Sequence, residues 1–212
     1  MGEARVLVVA GTNGIGKAIT EAAERLDARV AVDGRSVGLD VRDAAAVKER
    51  VGSAAQRLGG LDHVVSTAAV LRIGDVATSP QSDLAEGTDV NVTGTLNLAH
   101  ATHRHLRESR ASLTLFASRS FTRGRPQYVA YSASKAAVVN IAQGLADECS
   151  ADGIRVNSVS PERTDTPMRQ RAFPDESRAG LLSPVDVAEA TPGLILSDLT
   201  GQVFESSATI CR

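Results

Sequence analysis

No apolar run in this sequence approaches the ~18 residues that a membrane-spanning helix needs, which excludes a helical span. An excess of one charge is missing too. The 23 basic and 25 acidic side chains leave a net charge of -2, and with it no electrostatic case for nucleic acid or an anionic membrane as partner. A charged fraction of 23% beside 42% hydrophobic residues argues against a disordered tail. Cysteine is scarce: Cys149 and Cys211 make neither a disulfide framework nor a metal-ligand spacing, which fits a reducing compartment. Met1-Gly2-Glu3-Ala4-Arg5 runs straight into an apolar strand pattern without the blocks of a signal peptide, so a cytoplasmic protein is expected. At 212 residues, one domain spanning 1–212 is expected, with room for a sizeable core.

What is present is alternation. Short apolar runs at Arg5 to Ala10, Arg29 to Val32, His63 to Thr67, Ser112 to Ala117, Arg155 to Val159 and Gln202 to Phe204 read as buried strands. Helical spacing fills the intervals at Lys17 to Leu26, Asp43 to Leu58, Asp83 to Ser109, Ser132 to Ser150 and Pro184 to Leu196. The last opens on a capping residue, Ser183, with Pro184 next and Asp186 placed to answer the cap. This order predicts an α/β fold of Rossmann type, a doubly wound parallel sheet with helices on both faces. One interval breaks it. Only Asp33 to Gly38 separates the second strand from the apolar Leu39 to Val41, too short for a crossover of ~10–12 residues. The helix between the second and third strands is therefore expected to be missing and the third strand rudimentary. Glu162 to Ser183, broken by Pro167, Pro174 and Gly180, reads as a long loop of the kind that serves as a lid.

Between the first strand and first helix stands G-T-N-G-I-G, Gly11 to Gly16, carrying Asn13 and Ile15 between its glycines. Glycines at Gly11 and Gly14 let the chain turn tightly and a pyrophosphate approach backbone N–H groups at the positive helix end, while Gly16 lets helix and strand pack closely. In this strand-turn-helix setting the motif points to a dinucleotide. The second strand exits as Val32-Asp33-Gly34-Arg35-Ser36. An acid here would accept from a ribose 2′-OH and an arginine would hold a 2′-phosphate, so Asp33 favours NAD(H) and Arg35 with Ser36 favours NADP(H). Eighteen residues beyond Gly16 lies Gly34, the slot that usually holds the acid in the family resembled below; that resemblance puts Arg35 at the phosphate position and makes NADP(H) the expected cofactor, with NAD(H) left open.

At Tyr131 to Lys135 the sequence reads Y-S-A-S-K. Four residues apart on a helix, the two side chains share a face, where the ammonium favours the phenolate and is expected to lower the tyrosine pKa. A tyrosine so tuned gives a proton to a carbonyl oxygen as hydride arrives at carbon. Ser118, thirteen residues upstream at the C-terminal end of a strand, is placed to donate to the same oxygen.

This set, with the glycine turn, resembles the short-chain dehydrogenase/reductase family over essentially the whole chain. The resemblance implies Tyr131 as general acid/base, Ser118 polarising the carbonyl, and Lys135 tuning Tyr131 and holding the nicotinamide ribose. It implies that Asn91, in D-V-N-V-T-G, completes a proton relay, and that Asp40 and Val41, in L-D-V, lie near the adenine. Ala68 would line the cofactor, and Pro161, Thr164 and Thr166 would hold its carboxamide end. Two departures stand out: Ser66-Thr67-Ala68-Ala69 replaces the family's N-N-A-G, and Pro161-Glu162 its Pro-Gly.

F-T-R-G-R at Phe121 to Arg125 and P-E-R-T-D-T-P-M-R at Pro161 to Arg169 further resemble the ribulose 5-phosphate reductase domain of bifunctional cytidylyltransferase proteins that form CDP-ribitol. That likeness implies reduction of ribulose 5-phosphate to ribitol 5-phosphate with NADPH. Arg123, Arg125, Arg163 and Arg169 lie where guanidinium forks would hold a phosphate. A reductase of another small or secondary-metabolite ketone is the alternative, and a nonenzymatic NADP-binding sensor a further one. The family likeness also implies a homodimer or homotetramer. His100, His103 and His105 invite a metal reading, but no carboxylate completes a set at helical spacing, so no metal is expected.

Overall fold

The computed structural model describes residues 2–206, and Cys211 lies outside them. The apolar runs form β1 (Arg5–Val9), β2 (Arg29–Asp33), β3 (His63–Ser66), β4 (Ser112–Phe116), β5 (Arg155–Pro161) and β6 (Val203–Ser206). The helices are α1 (Gly14–Arg25), α2 (Ala44–Leu58), α3 (Gln81–Thr88), α4 (Gly94–Ser109), α5 (Val129–Glu148), α6 (Pro167–Ala172) and α7 (Pro184–Ile195). All strands pair in parallel in the order β2-β1-β3-β4-β5-β6, which is the expected doubly wound sheet.

Alternation along β1 shows how both faces are filled. Val6 and Val8 pack into one apolar cluster with Ile19 and Ala22 of α1 and Val187 and Ala188 of α7. Leu7 and Val9 pack into the other, with Val47 and Val51 of α2, Leu98 of α4 and Val138 of α5. A strand buried on both sides carries no polar alternation, which is why these segments read as continuous apolar runs. The chain leaves β1 toward β2 on one side and β3 on the other. A crevice opens at that switch point, outside the carboxyl ends of the strands.

Three expectations need correcting. Leu39 to Val41 is not a rudimentary strand. The link after β2 makes one 3-10 turn at Arg35–Val37, and Leu39 and Val41 are buried in irregular backbone. So few residues cannot cross over and return to a parallel register, and β2 remains the edge strand. The stretch from Asp83 to Ser109 is two helices joined through a π-helical turn at Asp89–Thr93. The expected loop after β5 contains α6, where Thr166 Oγ1 accepts from Arg169 N at 3.2 Å and Pro167 occupies the first helical position. Pro167 starts a helix here instead of breaking one. The cap of α7 is as expected: Ser183 Oγ accepts from Asp186 N at 3.1 Å and Ser183 N donates to Asp186 Oδ2 at 2.7 Å.

Candidate active site

Along the crevice runs a cleft of about 980 Å³, within the range of ligand-binding pockets. Its first wall is the glycine turn. Gly14 has φ +51°, the left-handed region that favours glycine, and α1 begins there. Asn13, Gly14, Ile15 and Gly16 line the cleft, so the unpaired N–H groups and positive end of α1 open onto it. A Cβ on Gly16 would stand 2.6 Å from Thr67 Oγ1 and closer still to the Ala10 carbonyl oxygen, so only glycine lets the helix sit this near β1. Gly11 is buried beneath the turn. Thr67, one of the departures from the family pattern, donates to the Val9 and Ala10 carbonyls at 3.3 Å and so ties β3 to the turn.

Beyond the end of β2 the rim carries Arg35 and Ser36. Ser36 Oγ lies 2.5 Å from Thr12 Oγ1, which joins the rim to the glycine turn. The Arg35 side chain is 74% exposed, with Glu86 Oε1 3.8 Å from its Nη1. Asp33 turns away: it is buried, accepts from Arg50 Nε at 2.8 Å and Nη2 at 3.0 Å, and is absent from the cleft wall. Asp40, Val41 and Ala68 do line the cleft. Asp40 accepts from Arg42 through both oxygens, and that hydrogen bonding holds its carboxyl down at about 2.

At the far end, α5 brings Tyr131 and Lys135 to the cleft one turn apart, and Ser118 follows β4. Ser118 and Tyr131 both line this end of the cleft, and the serine hydroxyl is near enough to favour the phenolate. Its Oγ also accepts from Ser120 N at 3.3 Å and Ser120 Oγ at 3.1 Å. Lys135 is 2% exposed; its Nζ donates to the Phe116 carbonyl at 2.6 Å and stands 5.7 Å from the Tyr131 ring centroid. The lowering of the Tyr131 pKa expected from the helical spacing is overridden. Burial pushes the phenol up to about 12, with the neighbouring Ser118 hydroxyl working against it, and burial alone brings the Lys135 ammonium down to about 8. Asn91 sits in the π-helical turn, fully buried. Its amide accepts from Val70 N at 2.8 Å and donates to the Val70 carbonyl at 3.0 Å and Ser134 Oγ at 2.9 Å, which pins the segment after β3 to α5.

A phenol, a second hydroxyl and a buried lysine thus meet at one end of the cleft. The family model described as Enoyl-(Acyl carrier protein) reductase matches residues 3–182. An uncharacterized oxidoreductase of Staphylococcus aureus is 32% identical over 206 residues, covering 88% of each chain. The chain belongs to the short-chain dehydrogenase/reductase family. As a member it is an NAD(P)-dependent oxidoreductase. The bifunctional ribulose 5-phosphate reductase/CDP-ribitol pyrophosphorylase Bcs1 of Haemophilus influenzae is 35% identical over 200 residues, covering 94% of this chain and 42% of that protein. The chain therefore spans less than half the length of that relative. The fold matches that of ElxO with NADP bound at TM-score 0.87 and 21% identity, over 100% of this chain and 99% of that one.

The cleft gathers some of the expected arginines and leaves one out. Arg125, Arg163 and Arg169 line it, whereas Arg123 is exposed on its loop and forms no part of the wall. Arg169 donates to Glu176 through Nε at 2.6 Å and Nη2 at 2.7 Å, and Arg163 Nη1 donates to the same carboxylate at 3.3 Å. Pro161, Thr164 and Thr166 line the cleft beside the glycine turn, where Thr166 Cγ2 would lie 3.4 Å from a Cβ on Gly14. Thr12, Tyr128 and Phe173 were not singled out in the sequence. The Tyr128 ring meets Tyr131 edge-on at 6.3 Å and Phe173 at 6.0 Å, so an aromatic wall links the proton donor to the segment after β5. In so aromatic-poor a chain, Y-V-A-Y at Tyr128 to Tyr131 was the available signal.

Proposed function

We propose that this chain reduces a ketone to a secondary alcohol with NADPH, and that the ketone is a phosphorylated ketose such as ribulose 5-phosphate, giving ribitol 5-phosphate. The observation that carries the chemistry is the convergence of Ser118 and Tyr131 on one end of the cleft, with the buried Lys135 behind them. A carbonyl oxygen placed between the two hydroxyls accepts from both. The glycine turn at Asn13 to Gly16 and the rim at Arg35 and Ser36 would hold NADPH, which would supply a hydride to the carbonyl carbon. Tyr131 gives its proton to the oxygen, so one proton and one hydride are added and NADP+ and the alcohol remain. Ser118 stabilises the oxygen as negative charge develops. Lys135, while protonated, favours the phenolate left on Tyr131. Asn91 acts as a positioning residue through Val70 and Ser134.

The NADPH preference is supported by the rim. Arg35 and Ser36 face the cleft, and Asp33, the residue that would favour NADH, is engaged by Arg50. A phosphorylated substrate is supported by Arg125, Arg163 and Arg169 on the cleft wall and by the relationship to the Haemophilus protein. The experiment is to follow NADPH oxidation with ribulose 5-phosphate, xylulose 5-phosphate, ribulose and uncharged ketones. The phosphorylated ketose should win by at least tenfold in kcat/KM, about 1.4 kcal/mol. Equal values for ribulose and ribulose 5-phosphate would remove the phosphate from the reading and leave a reductase of another ketone. Binding of NADPH with no turnover across the panel would leave only a cofactor-binding protein.

A further inference from the structure

Around Arg35 each carboxylate has an arginine of its own. Asp40 pairs with Arg42 at 2.5 Å, Glu86 with Arg72 at 2.7 Å, and Asp33 with Arg50 at 2.8 Å. Arg35 keeps only the 3.8 Å approach to Glu86 among the described residues, and its charge faces the cleft. The Asp33 pair differs from the other two. Its carboxylate is 7% exposed and sits at the end of β2, two residues before Arg35. Left unpaired, it would place a buried negative charge beside the very spot where Arg35 would meet a phosphate.

We infer that Arg50 is a positioning residue for cofactor choice: it withdraws and neutralises Asp33, so that the rim selects NADPH over NADH. This rests on the NADPH reading above. Neither Arg50 nor Asp33 lines the cleft, so the effect passes through the pair and not through contact with the cofactor. The geometry is two-pronged. Arg50 Nε and Nη2 take both Asp33 oxygens, at 2.8 and 3.0 Å, and Nη2 also donates to the Val37 carbonyl at 3.3 Å. Val37 ends the 3-10 turn that carries Arg35 and Ser36, so one guanidinium both cancels the adverse charge and fixes the turn that bears the favourable one. Asp33 itself accepts from Gly34 N at 2.9 Å, which holds its carboxylate toward Arg50.

The shortened link after β2 makes this reach possible. With no helix or strand inserted, α2 follows directly and packs alongside the edge strand, which brings Arg50 to Asp33 from seventeen residues away. The shortened link therefore supplies the counter-charge for Asp33.

The test is cofactor binding by the whole protein without substrate, read from the change in nicotinamide fluorescence with NADPH and NADH. In Arg50→Gln the amide still donates to Asp33 but the positive charge is gone. The NADPH-to-NADH affinity ratio should fall at least tenfold, chiefly through weaker NADPH binding. In the double variant Asp33→Asn with Arg50→Gln no carboxylate remains to neutralise, and the ratio should return to near the wild-type value. A wild-type ratio in Arg50→Gln overturns the inference. So does a low ratio in the double variant, which would mean that Arg50 acts on the cofactor directly. If Arg50→Gln does not fold, the neutral double variant alone decides on that same criterion. A wild-type protein with no NADPH preference is a different failure: it removes the NADPH reading itself.

Discussion

Lys135 Nζ stands 5.7 Å from the centre of the Tyr131 ring and donates to the carbonyl of Phe116, the last residue of β4. One buried cation is thereby tied to the carboxyl end of β4 while facing the phenol one turn earlier on α5. Burial moves the two groups in opposite directions, Lys135 down to about 8 and Tyr131 up to about 12.

A pH profile follows. Tyr131 remains protonated across the working range, so the group that titrates is Lys135, charged below about 8 and neutral above it. Reduction should slow as pH rises through about 8, because the neutral amine no longer favours the phenolate. The kcat/KM for NADPH, which reports the free enzyme, should show this break. Lys135→Arg, which does not lose its proton, should shift the break out of range. A break near 8 that survives Lys135→Arg would assign it to another group.

Gly16→Ala tests the packing of the glycine turn. The added Cβ meets Thr67 Oγ1 at 2.6 Å and the Ala10 carbonyl oxygen, which is backbone and cannot move aside cheaply. Overpacking of this kind costs about 1–3 kcal/mol, and the strand and helix would separate where the cofactor is expected. The urea midpoint should drop and NADPH affinity fall at least tenfold. Wild-type affinity in Gly16→Ala would show that close approach at this glycine is not required.

His63 carries a stability prediction away from the cleft. Its Nδ1 lies 2.8 Å from Ser112 Oγ, it is 7% exposed, and burial lowers its pKa from 6.5 to about 4. Between those values the unfolded chain binds a proton that the folded chain does not. Stability is therefore full above about 6.5 and falls as pH drops toward about 4. Going from pH 7 to pH 5 should remove about 2 kcal/mol through this group. Urea midpoints at the two pH values should converge in His63→Gln, and an unchanged gap would assign the loss elsewhere.

Glu176 bridges Arg163 and Arg169 and competes with any anion for them. Arg169→Ala should raise the KM for a phosphorylated ketose by about 10- to 150-fold, the worth of a charge-assisted contact of ~1.5–3 kcal/mol. Glu176→Gln should lower that KM, with uncharged ketones unaffected. Steady-state kinetics on both substrates separates this from a loosened loop, which would affect the two alike.

The fold was legible where one physical rule dominates. Val6 to Val9 had to be a doubly buried strand, Gly14 and Gly16 had to sit in a tight approach, and Tyr131 and Lys135 had to share a face of α5. What was hidden depends on partners distant in sequence. Asp33 read as a competing cofactor acid because nothing in its neighbourhood announces Arg50. Thr12 and Ser36 meet only once β1 and β2 are paired. Pro167 read as a breaker because a proline at the first position of a helix and one between helices look alike until the Thr166 cap is seen. The direction of the Tyr131 pKa was misjudged for a similar reason: spacing reveals the cation but not that Lys135 is buried and Tyr131 is half-buried in the cleft wall.

The most direct test of the account compares wild type with Tyr131→Phe in NADPH oxidation with ribulose 5-phosphate, with NADPH binding measured on the same samples. The phenyl ring preserves the packing against Tyr128 and removes only the proton donor. Turnover should fall by about 10²–10⁴-fold while NADPH affinity stays within about twofold. Undiminished turnover in a variant that still binds NADPH would contradict the account at its centre.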